Sequence, residues 1–338
     1  GIGFKIKETS FCFISTHLAA RPGRVALRKA NFYDVMKFVR PCSKKFEATA
    51  TFDYFFFLGD TNFRIDYPFD KTLATIEKGD CKELMQYDEL TKERLQNNEF
   101  SYLYEPEINF KPTYRRIRHE NSYSNKNNQS PSWTDRILST AKPGRKLDII
   151  EYNSAEFFFC SDHRPVYSIM KVDVEPHFTF FPPLHTRPAL PFGQLIFSKM
   201  LLNYDFEKTS ELGEFAPEYV VPMDIYIAFH GKFLNNYPIT TPMDFTDLLI
   251  WNGEKIPILQ CVVADVNYLK NQFIDLFVYT RNQDKGDMLI GQAALSLKAV
   301  EDWSLDKAIQ FSVPVHLYAK KYGHISGEFS FKPVDPTN

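Results

Sequence analysis

Cysteine is scarce in this 338-residue chain: five residues, at 12, 42, 81, 160 and 261, with no Cys-x-x-Cys pair. An odd, scattered set argues against a disulfide framework and a cysteine-rich zinc site, and it implies a reducing compartment. Glycine numbers only 14, too few for a collagen-like repeat. No apolar run approaches the roughly 20 residues of a membrane-spanning helix. The run Phe55–Leu58 is strand-length. A Gly-rich phosphate loop is missing, so nucleoside triphosphate use is not expected. Neither Gly-x-Ser-x-Gly nor a Cys/His nucleophile pairing stands out, which favours direct attack by water over a covalent intermediate. Charge of one sign is lacking too, at a net −2. Residues 1–174 nevertheless carry 27 Lys and Arg against 23 Asp and Glu, and residues 175–338 carry 13 against 19. The basic excess of the first part suits an anionic substrate but is too small for bulk nucleic-acid binding.

Aromatic residues are plentiful, with 32 Phe and 18 Tyr, enough to fill a sizeable core. Phe11–Ile14 and Tyr54–Leu58 read as buried strands, and Leu27–Val39 has helical spacing through Leu27, Ala30, Phe32, Val35, Met36 and Val39. Residues 69–95 read as two or three short helices, and 133–138, 147–152 and 166–172 as strands. Near-continuous apolar strands alternating with helices predict a two-sided α/β sheet. Five prolines then fall between 175 and 191, marking a linker at 175–192. Beyond it helical periodicity fades. Segments near 194–203, 222–230, 256–264, 271–280, 288–297, 309–317 and 325–332 predict a β-sandwich over 193–335.

Three polar clusters each follow or sit within a segment that reads as an apolar strand: Ser15-Thr16-His17, Gly59-Asp60-Thr61-Asn62 and, after Phe157-Phe-Phe-Cys, Ser161-Asp162-His163. Strand ends are where α/β sheets place their sites. Singly, each has a plainer reading, such as a structural histidine or an Asx turn. A fourth cluster, Pro131-Ser-Trp-Thr-Asp135-Arg136, puts a carboxylate in an apolar pattern. Asp135 could hold a histidine in orientation or form an ion pair with Arg136. A fifth, Phe110-Lys111-Pro-Thr-Tyr114-Arg115-Arg116-Ile-Arg118, packs four cations into a loop that can grip phosphate or simply be solvated. Carboxylate, amide, imidazole and guanidinium together suit phosphoester hydrolysis.

In order and spacing, the strings Ser-Thr-His17-Leu-Ala-Ala, Leu-Gly-Asp60-Thr-Asn62-Phe-Arg64, Lys-Pro-Thr-Tyr114-Arg115, Pro-Ser-Trp-Thr-Asp135-Arg136 and Ser-Asp162-His163-Arg-Pro-Val resemble the inositol polyphosphate 5-phosphatases. The resemblance implies a DNase I-like (endonuclease/exonuclease/phosphatase) α/β sandwich, partial here, over residues 1–174. It implies magnesium (Mg2+) as cofactor, with Asp60 activating water, Asn62 orienting the attack, and His17 and His163 stabilising the phosphoryl group. Asp135 would orient His163, and Asp162 would lie at the metal. Lys111, Tyr114 and Arg115 would take a ring phosphate. Arg64 and Arg136 match basic positions that could equally be structural. Ile256-Pro-Ile-Leu through Val278-Tyr, Ile290-Gly-Gln-Ala-Ala-Leu and Gly323-His-Ile-Ser-Gly-Glu-Phe resemble the all-β C2 sandwich that follows the phosphatase in SHIP-type enzymes. Those act on phosphatidylinositol 3,4,5-trisphosphate, so phosphoinositide lipids or soluble inositol polyphosphates are the expected partners. A cytoplasmic protein recruited transiently to membranes is expected, with no nucleic acid. The loop 279–287 lacks an Asp-x-Asp pair, so no calcium dependence is expected. The family's Asn-ended strand and its Gln-Glu pair, whose Glu is the main magnesium ligand, have no match upstream of Ser10. The resemblance therefore implies a start midway through the catalytic domain. A non-catalytic phosphoinositide scaffold and a nuclease of the same superfold are the alternatives.

Overall fold

The computed structural model describes residues 1–43, 46–176, 192–205, 224–246, 248–262, 264–281, 286–299 and 307–334. Two units emerge: Gly1–Ala141 with Arg145–Val174 and Tyr318–Lys320, and Lys142–Gly144 with Glu175–Leu317 and Lys321–Asn338. Residues 177–191 of the expected linker lie outside the described residues.

In the first unit, β1 (Ile2–Ile6), β2 (Thr9–His17), β3 (Tyr54–Asp60) and β4 (Asp135–Ala141) form one sheet in that order. β2 and β3 are parallel, and the outer pairs are antiparallel. Tyr54–Phe57 are all buried because both faces of β3 are covered. On one face Phe57 meets Phe32 of helix α1 (Val25–Phe38), ring centroids 4.8 Å apart. On the other, Phe56 stacks on Phe13 at 4.5 Å and joins a cluster with Phe11, Met170 and Val172. Met170 and Val172 belong to β6 (Val166–Val172), which pairs antiparallel with β5 (Leu147–Ser154) as a second sheet. Two facing sheets with a helix outside make the expected α/β sandwich. The short helix α2 (Ala48–Thr51) precedes β3, and α3 (Phe69–Glu77), a 3-10 turn (Cys81–Tyr87) and α4 (Glu89–Gln96) follow it.

Three expectations shift. In α1 the buried face runs through Arg28, Phe32, Tyr33 and Met36, and Leu27 is exposed. Arg28 can be interior because Glu89 takes one Nη and the carbonyls of Ala19 and Arg21 take the other, although its Nε has no hydrogen-bond partner among the described residues. β4 begins at Asp135, and Trp133 lies before it in a loop, donating Nε1–H to the Phe110 carbonyl at 3.0 Å. Phe157–Cys160 is no strand but turn and irregular chain, with Phe157, Phe158 and Cys160 exposed and Phe159 half-buried.

In the second unit neighbouring strands run antiparallel. It comprises β7 (Phe192–Tyr204), β8 (Asp224–His230), β9 (Met243–Asp244), β10 (Leu248–Asn252), β11 (Leu259–Cys261), β12 (Phe273–Arg281), β13 (Met288–Ser296), β14 (Ile309–Leu317) and β15 (Lys320–Val334). The strand order is β10-β7-β15-β14-β13-β12-β8-β9, with β11 also on β7. Four strands separate β7 from β8 in that order, yet the Phe197 and Phe229 rings sit 5.5 Å apart. The sheet therefore folds over itself into a sandwich, with Phe311 and Phe329 completing the aromatic centre. The expected strand at 256–264 shrinks to β11, and β1, β9 and β10 lie outside the expected segments. In the 279–287 loop, Asp287 accepts a hydrogen bond from the Tyr226 hydroxyl at 2.7 Å and stands 3.7 Å from Arg281. Asp284 lies outside the described residues.

Candidate active site

The register of three strands builds the site. His17 ends β2, Asp60 ends β3 and Asp135 begins β4, and His17 pairs with Asp60 as Asp60 pairs with Asp135. Three chemically active side chains thus form one row along a single sheet end. Gly59 permits the crossing: its φ is 126°, and a Cβ there would stand 2.2 Å from the Thr16 carbonyl oxygen.

His163 completes the row from a loop. Its Nδ1 lies 2.9 Å from Asp135 Oδ2. The same oxygen accepts from the hydroxyls of Thr113 and Thr134, both at 2.9 Å. Backbone bonds zip the loops together: Tyr114 N to Ser132 O at 3.1 Å, Arg116 N to Asp162 O at 2.8 Å and Arg164 N to Thr113 O at 3.0 Å. The Tyr114 ring then packs on His163 at 4.5 Å, and the Arg64 guanidinium lies 4.6 Å from the Tyr114 ring centroid. Arg64 also donates Nε–H to the Asn62 carbonyl at 3.0 Å and an Nη to its Oδ1. Asn62, at φ 56°, donates its backbone N–H to Asp60 Oδ1 at 3.0 Å. A closed ring of contacts therefore holds Asp60, Asn62, Arg64, Tyr114, His163 and Asp135.

Electrostatics follow from this crowding. Burial, with the nearby Asp135 charge, pushes the Asp60 carboxyl up despite His163, the Asn62 amide and His17. For His163, burial opposes the cation, but the hydrogen bond and charge of Asp135, aided by Asp60 and Asp162, outweigh it and raise the imidazole. His17 Nε2 stands 3.5 Å from Asp60, with its side chain 72% exposed.

Several expected site residues take other tasks. Arg136 is no substrate ligand. It is fully buried, clamped by Glu105 at 2.6 and 2.7 Å and by Asp88 at 3.0 and 3.1 Å. Asp88 also caps α4 through the Thr91 N–H at 2.8 Å, so Arg136 fixes the root of β4 to that helix. Asn62 is buried, and its amide is occupied at both ends, by the Leu18 carbonyl and by Arg64. It shapes the Asp60 turn rather than facing water. Arg64, also buried, is a buttress of Asn62 and Tyr114. Asp162 is held by Arg115 at 3.3 Å and Arg118 at 3.6 Å instead of standing open for a metal. Arg116 is buried against Glu156, and Lys111 is exposed on the same loop. Among the described residues no three His, Cys, Asp or Glu side chains group as a metal centre. The described residues therefore supply no complete set of metal ligands among themselves, and a hard cation here would take water and phosphate oxygens as well. Thr113 and Thr134 are the site members that sequence reasoning passed over. Their signal was their place inside the Pro-Thr-Tyr and Trp-Thr-Asp strings.

The profile of endonuclease/exonuclease/phosphatase family 2 matches residues 1–169. The chain belongs to this family. Among its relatives, human phosphatidylinositol 3,4,5-trisphosphate 5-phosphatase 1 is 25% identical over 348 residues, covering 97% of this chain and 27% of the relative. Zebrafish (Danio rerio) phosphatidylinositol 3,4,5-trisphosphate 5-phosphatase 2A is 25% identical over 314 residues, covering 89% and 24%. The chain thus spans about a quarter of the length of these curated relatives. A solved inositol polyphosphate 5-phosphatase domain of SPsynaptojanin, in complex with inositol (1,4)-bisphosphate and calcium, is 30% identical over 51% of each chain with a TM-score of 0.45. Among the described residues no helix is long and apolar enough to cross a membrane.

Proposed function

We propose that this phosphatase-family chain forms the site of a phosphoinositide 5-phosphatase, converting phosphatidylinositol 3,4,5-trisphosphate to the 3,4-bisphosphate by direct attack of water. The observation that carries the reading is the His17–Asp60–Asp135 row with His163 fixed on Asp135. The raised Asp60 carboxyl is the base that takes the water proton. Asp135 holds His163 through Nδ1, so that Nε2–H can donate to a phosphoryl oxygen, and the imidazolium offsets charge building on the phosphate. His17 is an exposed second donor. Tyr114, Arg115 and Lys111 are assigned to a neighbouring ring phosphate. The magnesium requirement rests on the resemblance alone and is checked by chelation and add-back. Cytoplasmic residence with recruitment to membranes belongs to the same proposal.

The test is release of phosphate from the 5-position by the full chain, compared with its His163→Ala variant. The variant is expected to lose activity by about a hundredfold or more. Comparable rates, or cleavage of DNA instead of the phosphoinositide, would overturn the assignment.

The pH profile should be bell-shaped. Asp60 must be ionised and titrates above the usual carboxylate value of about 3.9. His163 must be protonated and titrates above the usual imidazole value of about 6.5. Activity therefore falls on the acid side as Asp60 gains a proton and on the alkaline side as His163 loses one. Asp135→Asn removes a charge that raises both His163 and Asp60, so it should draw the alkaline limb to lower pH and move the acid limb down as well, burial of Asp60 remaining to raise it. An unmoved alkaline limb would reject His163 as the group titrating there.

A further inference from the structure

We propose that the turn Ala155–Phe158 is a docking wedge that seats the mouth of this site on an anionic lipid surface, with Phe157 and Phe158 entering the acyl boundary. The inference rests on the phosphoinositide reading and extends it to how a lipid substrate is reached. Phe157 is 89% exposed and Phe158 57%, two neighbouring large rings left in water. Burying one such ring shifts an equilibrium by about tenfold or more, so leaving both out needs a reason.

The backbone that carries these rings is held by hydrogen bonds. The Phe158 N–H bonds the Ala155 carbonyl at 3.2 Å, and the Ala155 N–H bonds the Pro165 carbonyl at 2.8 Å. One residue on, the Phe159 carbonyl accepts the His119 N–H at 2.6 Å, and the Arg164 guanidinium lies 4.8 Å from the Phe159 ring centroid. The wedge is therefore fastened to the basic loop that also carries Tyr114 and Arg115, and four residues further along it the chain reaches His163.

Charge favours a lipid occupant. Arg116 is neutralised by Glu156 at 3.1 Å, and Glu120 accepts from the Ser122 hydroxyl. Arg115 and Arg118 share the single carboxylate of Asp162, and the Arg118 side chain is 66% exposed. With Arg164 over Phe159, four arginines (115, 116, 118 and 164) stand against three carboxylates (Glu120, Glu156 and Asp162), so one cation is in excess around this turn. Exposed aromatics next to a snorkelling cation are the composition of an interfacial anchor. Two rings offer only some hundreds of Å², less than a stable protein interface buries, whereas partial insertion in a membrane needs no more.

The experiment uses the full chain and its Phe157→Ser/Phe158→Ser variant, with vesicles of phosphatidylcholine containing about one-fifth phosphatidylserine. Co-sedimentation affinity should fall about tenfold or more in the variant. Phe157→Trp/Phe158→Trp should retain binding and show a blue-shifted emission on vesicles. Hydrolysis of trisphosphate lipid in the same vesicles should fall alongside binding, with hydrolysis of a soluble inositol polyphosphate unchanged. Unaltered vesicle binding overturns the proposal. So does an equal fall on the soluble substrate, which would assign the turn to the site itself. A change in sedimentation size without lipid overturns it in favour of a protein contact. If the parent chain hydrolyses neither substrate, the phosphatase reading fails while the binding arm still decides the wedge.

Discussion

Asp60→Asn is expected to lower kcat/KM for phosphate release by about a thousandfold while leaving the fold intact. The substitution is isosteric, and an asparagine Oδ1 can still accept the Asn62 N–H that Asp60 now accepts at 3.0 Å. What it removes is the negative charge and the basicity. Both matter because burial and the neighbouring Asp135 already raise the Asp60 carboxyl, tuning it toward a base that works near neutrality. Single-turnover phosphate release, with circular dichroism as the control for folding, separates the two properties. Retention of more than about a tenth of the activity would remove Asp60 from the role of base.

The second large effect is on stability. Arg136→Met should destabilise the first unit by about 3–5 kcal/mol. The guanidinium is wholly enclosed, and burial alone would disfavour its charge, but Asp88 and Glu105 reverse that and hold it well above its ordinary value. Without it, two carboxylates remain in the interior. Tyr152, which donates to Glu105 at 3.2 Å, and Arg94, 3.3 Å from the same group, cannot replace a bidentate clamp. The melting temperature should drop by roughly 10 °C. Because β4 starts at the preceding residue, activity should fall too, from misplacement of Asp135 rather than from loss of a substrate contact. A variant with an unchanged melting curve but weaker substrate binding would return Arg136 to the binding site.

Much of this was readable without coordinates. A two-sided α/β sheet followed by an all-β sandwich came from the change in periodicity around the prolines, and the pairing of two sheets in the first part came from the family resemblance. The candidate residues came from five strings that mark strand ends and loops. Boundaries were less legible. Trp133 looked like strand because an apolar ring in an apolar run carries no sign that its indole N–H will be taken by Phe110. Phe157–Cys160 looked like strand because hydrophobicity gives composition and not exposure.

The sequence by itself determined which side chains are available for phosphoester chemistry and in what order they come, because motif spacing and apolar periodicity are local properties. Only the tertiary structure decided which of them come together at one sheet end. The register of β2, β3 and β4 lines up His17, Asp60 and Asp135, three residues drawn from positions far apart in the chain. Asp135 and Arg136 are adjacent, yet alternation along the strand sends one to His163 and the other inward to Asp88 and Glu105. Asp162 is occupied because Arg115 and Arg118 arrive from another loop. A charge's role depends on solvent access and on the partners that reach it, and both are supplied by distant segments brought together in the fold.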